Sequence, residues 1–187
     1  MFKHIYLKQH KNTHMKYKLI IASIAFIFPF LMKAQEMTIN LSGVKITFVA
    51  DMQKTEGSVS GLKAKINFNL EDLSKSEITG TVDVKTLNTG NDQRDEHLKS
   101  ADFFDAAKYP TMSFKSTSFE KVEGKFVMKG LMQIKSISRE ETITFSFENK
   151  VFKGTTTIQA ANYDLGSFAK KEAGKTNVKI SFTIPVN

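Results

Sequence analysis

The sequence predicts an all-β fold: one domain of about eight antiparallel strands, interrupted by a single short helical insert. Three observations carry this. Apolar and polar residues alternate with period two through most of the chain after residue 35, as strands with one buried and one wet face require. Turn-forming pairs separate these runs. One polar stretch, from Thr89 to Phe104, drops the alternation and carries helix signals instead.

Val44 to Ala50 is the first candidate strand. Leu62, Ala64, Ile66, Phe68 and Leu70 then share a face, with Lys63, Lys65, Asn67 and Asn69 on the other. Ile78, Val82 and Val84 repeat the pattern against Glu77, Thr79 and Asp83, and Thr111 to Phe119 follows the insert. Phe126, Met128, Met132 and Ile134 form the next apolar face, and Ile143, Phe145 and Phe147 the one after it. Val151 to Ile158 leads to a last strand in which Val178, Ile180, Phe182 and Ile184 oppose Lys179, Ser181 and Thr183. Turns are expected at Glu123-Gly124, Asn149-Lys150, Lys153-Gly154 and Ala173-Gly174. One wet face per strand argues for an antiparallel sheet, since parallel strands read as continuous apolar runs.

In the insert, Asn91 or Asp92 suits a helix N-cap, and Asp92, Asp95 and Glu96 suit the positive end of its dipole. These acids read as capping and solvated groups. Leu98 is expected to face inward with Phe103 and Phe104 packing beneath it, and Pro110 marks the return to strand. A helix of this kind can close one end of a barrel.

The first 34 residues read as a leader rather than as part of the fold. Lys16 and Lys18 precede an apolar run from Leu19 to Met32, and Ala34-Gln35 offers a small-residue cleavage point, with Met15 an alternative start. That is the layout of a secretory signal peptide, and the run is short for a membrane span. The domain is therefore expected over residues 35–187, in the periplasm or secreted, with no stable span once the leader is cut. All six basic residues before position 35 go with the leader, which has no acids, so the formal +8 falls to near +2. No clustered basic stripe remains, and a nucleic-acid partner is not expected.

There is no cysteine, hence no disulfide framework, no thiolate metal site and no cysteine nucleophile. His97 is the only histidine after residue 35, and a lone histidine among scattered carboxylates makes a poor metal site, so none is expected. No phosphate loop, serine elbow or dinucleotide fingerprint occurs. Neither a catalytic residue nor a cofactor is assigned.

Of the sixteen phenylalanines, four lie in the leader, so twelve remain, with no tryptophan and only Tyr109 and Tyr163 as phenols. Such an interior has few hydrogen-bonding handles and suits a hydrocarbon ligand, although a plain packed core would produce the same pattern.

Beyond these general signals, particular words stand out in order: Thr89-Gly90-Asn91, Arg94-Asp95-Glu96-His97-Leu98-Lys99-Ser100, Asp102-Phe103-Phe104-Asp105, Tyr109-Pro110 and Phe114-Lys115-Ser116-Thr117. In these the chain resembles the YceI-like proteins, over nearly its whole length from Val44 onward. The resemblance implies a single lipocalin-like eight-stranded barrel holding an elongated isoprenoid lipid or quinone non-covalently. Residues expected to line it are Phe68, Val82, Val84, Leu98, Phe103, Phe104, Phe114, Phe126, Met128, Phe145, Ile180 and Phe182, with Arg94 and His97 as head-group contacts or as groups that orient the turn. Two departures stand against the family pattern. Ser136 replaces a turn glycine and is expected to alter that hairpin, and Ala160 replaces an arginine in the run Ala160-Ala161-Asn162-Tyr163-Asp164, removing a polar contact.

The resulting expectation is an exported carrier or store of a long-chain lipid, not an enzyme. Three other classes stay open: a filled barrel acting as a stress-response or partner-binding module, an enzyme modifying a bound isoprenoid, and an outer-membrane barrel. The last should show aromatic girdles, for which this chain lacks the tryptophan and tyrosine. The sequence leaves homodimerisation open.

Overall fold

In a computed structural model that describes residues 36–187 apart from residues 53 and 173, the chain forms a closed antiparallel barrel in which strands one to eight follow one another in order. The expected leader lies outside the described residues. The strands are β1 (Lys45–Ala50), β2 (Thr55–Asn67), β3 (Glu77–Asn88), β4 (Thr111–Val122), β5 (Lys125–Ile134), β6 (Ile137–Glu148), β7 (Val151–Gln159) and β8 (Asn177–Pro185). One α-helix, α1 (Asp92–Lys99), lies between β3 and β4. β1 closes the barrel against β8, from Lys45 opposite Thr183 to Ala50 opposite Val178. Closure leaves no unpaired edge.

Most expected strands appear within a few residues of their sequence positions, but β2 starts earlier, at Thr55. The small and polar residues from Thr55 to Gly61 do not alternate, and register shifts after Ser58 and Ser60 interrupt their pairing with β3. Bulges of this kind erase the period-two signal. At the other end of β2 the strand stops at Asn67, so Leu70 does not join the apolar face and is 55% exposed.

The hairpins use the turn conformations that match strand twist. Glu123 and Gly124 (φ 49° and 82°) join β4 to β5, and Asn149 and Lys150 (φ 51° and 60°) join β6 to β7. The hairpin at Ser136 keeps its two-residue form, with Ile134 opposite Ile137. Its left-handed residue is Lys135 (φ 55°), so Ser136 needs no glycine-like freedom.

Lys153-Gly154 is not a turn. Both residues lie inside β7, and Gly154 pairs with Phe145 on β6 and Phe182 on β8. A Cβ on Gly154 would stand 2.5 Å from Phe182 Cζ and 2.7 Å from Phe145 Cβ, so the glycine lets two aromatic residues cross the strand closely. Gly130 does the same beneath Phe114.

Three apolar clusters result. One fills the barrel end carrying the β2–β3, β4–β5 and β6–β7 connections: Ile66, Phe68, Phe126, Met128, Ile143, Phe145, Phe152 and Val186. A second joins Ile134, Ile158, Ala160, Tyr163 and Leu165 near the opposite end. The third packs Val59, Val84, Leu87 and Ala106 beneath the α1 connection.

Candidate functional site

Between the filled end and the α1 connection, the barrel encloses a cavity of about 960 Å³. Inward side chains from every strand line it, and several of them, including Phe48, Leu62, Val82, Phe114, Ile180 and Phe182, are only half-buried although they point into the barrel. A packed core would bury such residues fully. They face open space instead. The deep part of the lining is apolar, and its one buried hydroxyl, on Thr156, donates to the Thr142 carbonyl at 2.8 Å. Polar lining gathers at the α1 end, where Arg94, His97, Asp102, Ser167, Lys170 and Lys171 all reach the cavity.

Nine of the twelve expected lining residues face this space: Val82, Leu98, Phe103, Phe104, Phe114, Met128, Phe145, Ile180 and Phe182. Phe68, Val84 and Phe126 do not line it. Phe68 and Phe126 lie in the packed end cluster, where their rings meet edge-on at 5.0 Å. Val84 is 1% exposed and packs into the cluster under the α1 connection. Alternation identifies the inward face but not whether space or another side chain lies beyond it. The alternation of β1 and β8 could have found Ile46, Phe48, Val178 and Ile184, which also line the cavity. Phe168 lies in a short 3-10 helix (Gly166–Lys170) that Leu165 precedes, and no strand periodicity marks either of them.

Local chemistry sets the α1 end. Asn91 caps the helix, its side chain accepting from Arg94 N at 2.9 Å. Asp95, expected to be solvated, is 6% exposed, and its Oδ1 accepts from Thr89 N at 2.9 Å and Thr89 Oγ1 at 2.5 Å. Arg94 closes on the same residue, donating from Nε to Thr89 Oγ1 (2.8 Å) and from Nη2 to the Thr89 carbonyl (3.0 Å). The helix is thus tied to the end of β3 from both sides. Asp95→Ala removes a buried acceptor from a backbone amide and a hydroxyl, so a loss of about 2 kcal/mol in unfolding free energy is expected by denaturant titration.

His97 is largely exposed, with Nε2 3.8 Å from Asp102 Oδ2 and its ring edge-on to Phe103 at 5.0 Å. Phe103 reaches across to Phe168 at 5.7 Å. Gly166 (φ 52°) makes this approach feasible, since a Cβ there would stand 2.8 Å from the Phe103 ring. Among the described residues, no group of three or more metal-ligating side chains is placed to hold an ion.

Where the family pattern has an arginine, Ala160 presents a small apolar side chain to the cavity. The segment is held by another contact: Tyr163, fully buried, donates its hydroxyl to Glu141 Oε1 at 2.7 Å. Burial, reinforced by the Glu141 carboxylate, pushes the Tyr163 phenol well above its ordinary range. Lys135 Nζ also donates to the Asp164 carbonyl at 3.0 Å, so β6 and the β5–β6 turn together brace the segment.

Comparison with known proteins agrees with this architecture. Residues 37–186 match the profile of the YceI-like domain. A UPF0312 protein of Vibrio parahaemolyticus is 28% identical over 121 residues, which cover 59% of this chain and 64% of that protein. The crystal structure of BcnA from Burkholderia cenocepacia superposes with a TM-score of 0.68 at 22% identity, covering 78% of this chain and 98% of BcnA. A polyisoprenoid binding domain from Saccharophagus degradans, implicated in plant cell wall breakdown, superposes with a TM-score of 0.58 at 14% identity, covering 81% and 97%.

Proposed function

The chain belongs to the YceI-like domain family, and from that premise we propose that it binds the hydrocarbon tail of a long-chain isoprenoid-type lipid inside the barrel, as a carrier or store without catalysis. The observation that carries this reading is the largely apolar cavity of about 960 Å³ with its charged residues confined to one end. It matches an amphipathic lipid, tail inward and head at the α1 connection. The mechanism is solvent exclusion. Each isoprene unit has five carbons, and at about 0.3 kcal/mol per heavy atom each enclosed unit adds roughly 1.5 kcal/mol after association costs. Affinity can therefore build without a dedicated polar contact in the interior.

The cavity weighs against a filled barrel acting through its surface alone. The outward positions of β2 carry Lys63 and Lys65, both exposed, while the apolar face points inward. That polarity is opposite to the lipid-facing wall of an outer-membrane barrel. The polyisoprenoid binding domain from Saccharophagus degradans shares the fold, and its name supports the choice of lipid class. Export through the leader at residues 1–34 belongs to the same proposal, since a lipid needs such a shield where it leaves the membrane for water. Equilibrium titration of the detergent-free protein with a radiolabelled all-trans isoprenol tests the reading. Saturable binding near one per chain is expected; no saturable binding of any isoprenol would overturn it.

A further inference from the structure

The filled end of the barrel has a definite construction. Phe68 stands just past the end of β2, 5% exposed, at the end opposite α1. Its ring lies 5.0–6.0 Å from those of Phe119, Phe126, Phe145, Phe147 and Phe152, so one side chain is the hub of a six-ring layer. Phe145 and Phe152 belong to both regions: they line the cavity and touch Phe68. Phe68 itself does not reach the cavity, and Phe119 and Phe147, also off the cavity, are half-buried. The layer is therefore thin, with Phe68 between the floor of the cavity and the outer rings. Edge-to-face and tilted packing makes such a layer stiff.

We infer that the aromatic floor built on Phe68 sets the longest lipid tail the barrel can enclose. The inference rests on the lipid-binding reading and adds what that reading leaves open, a limit on chain length and the residue that imposes it. A tail entering past α1 gains contact for each unit placed inside. When its end meets Phe145 and Phe152, further units stay in water and contribute nothing. Close-packed interiors yield space only where atoms are removed. The phenyl ring of Phe68 is similar in carbon number to one isoprene unit, so its removal makes room for about one more unit if the rings above settle into the gap.

The test measures affinity for all-trans isoprenols of increasing length, from three to eight isoprene units, for the full chain and two variants. For wild type, affinity rises about tenfold per unit and then levels off. Phe68→Ala moves that break about one unit longer. Ala64→Phe, which pushes a ring into the open cavity from a position on its wall, moves it at least one unit shorter. A break that shifts in Ala64→Phe but not in folded Phe68→Ala overturns the floor assignment while leaving lipid binding intact. Absence of binding by wild type at every length overturns the lipid reading and this inference with it. If Phe68→Ala does not fold, Phe68→Leu replaces it: higher affinity for the first length beyond the wild-type break supports the assignment, and an unchanged curve overturns it.

Discussion

Ile180→Asp is expected to weaken lipid binding at least a hundredfold while leaving the barrel folded. Ile180 sits in the middle of β8, opposite Phe48 on β1 and Thr156 on β7, and points into the cavity. Because it faces open space and is only half-buried, a carboxylate there can stay hydrated in the empty protein. A lipid tail would strip that water without supplying a hydrogen bond, at a cost of several kcal/mol. Two orders of magnitude in affinity correspond to about 3 kcal/mol, well within that cost. Two controls separate this from general damage. Ile180→Val should bind nearly as wild type, and binding by Ile180→Asp should recover in part as pH falls toward the carboxyl pKa and the group becomes neutral. Titration with the radiolabelled isoprenol, alongside thermal unfolding of each variant, checks both.

The second large effect concerns stability. Tyr163→Ala should cost about 4 kcal/mol, because it empties a fully buried aromatic site between Ile134, Ile158, Ala160 and Leu165. Tyr163→Phe keeps the packing and loses only the hydrogen bond to Glu141, so about 1 to 2 kcal/mol is expected. The two variants also differ in their response to alkali. The folded-state pKa of Tyr163 is raised, whereas an unfolded tyrosine titrates near about 10. The contribution of the protonated phenol is therefore complete below about pH 10 and is lost as pH rises beyond it toward the folded value. The stability gap between wild type and Tyr163→Phe should be constant from neutral pH to about pH 10 and narrow above it, as followed by denaturant titration across that range.

The strands were legible because each has one wet face, and Lys179, Ser181 and Thr183 against Val178, Ile180 and Phe182 show this plainly. The helix was legible from its cap, and Asn91 performs that role. What alternation does not encode is distance across the barrel. Phe68 and Phe145 sit on equivalent inward faces and share one packed aromatic layer, yet only Phe145 also borders open space. Only the three-dimensional arrangement of the strand ends separates them. Gly154 is ambiguous for a related reason: a glycine in a turn and a glycine beneath two phenylalanines read alike in one dimension. Asp95 lies in a polar run but turns back onto Thr89, a contact six residues away that solvated charge patterning does not reveal.

These features fit one division of labour. The end at Phe68 is closed by packed rings, the middle is a cavity with a largely apolar wall, and the α1 end combines aromatic and polar side chains on a helix fastened to β3. The measurement that tests the central claim most directly is mass spectrometry of an organic extract of the protein, purified without detergent from its native source. The account predicts one long-chain isoprenoid lipid or quinone per chain. An extract free of lipid, from protein that also fails to take up added isoprenols, would contradict it.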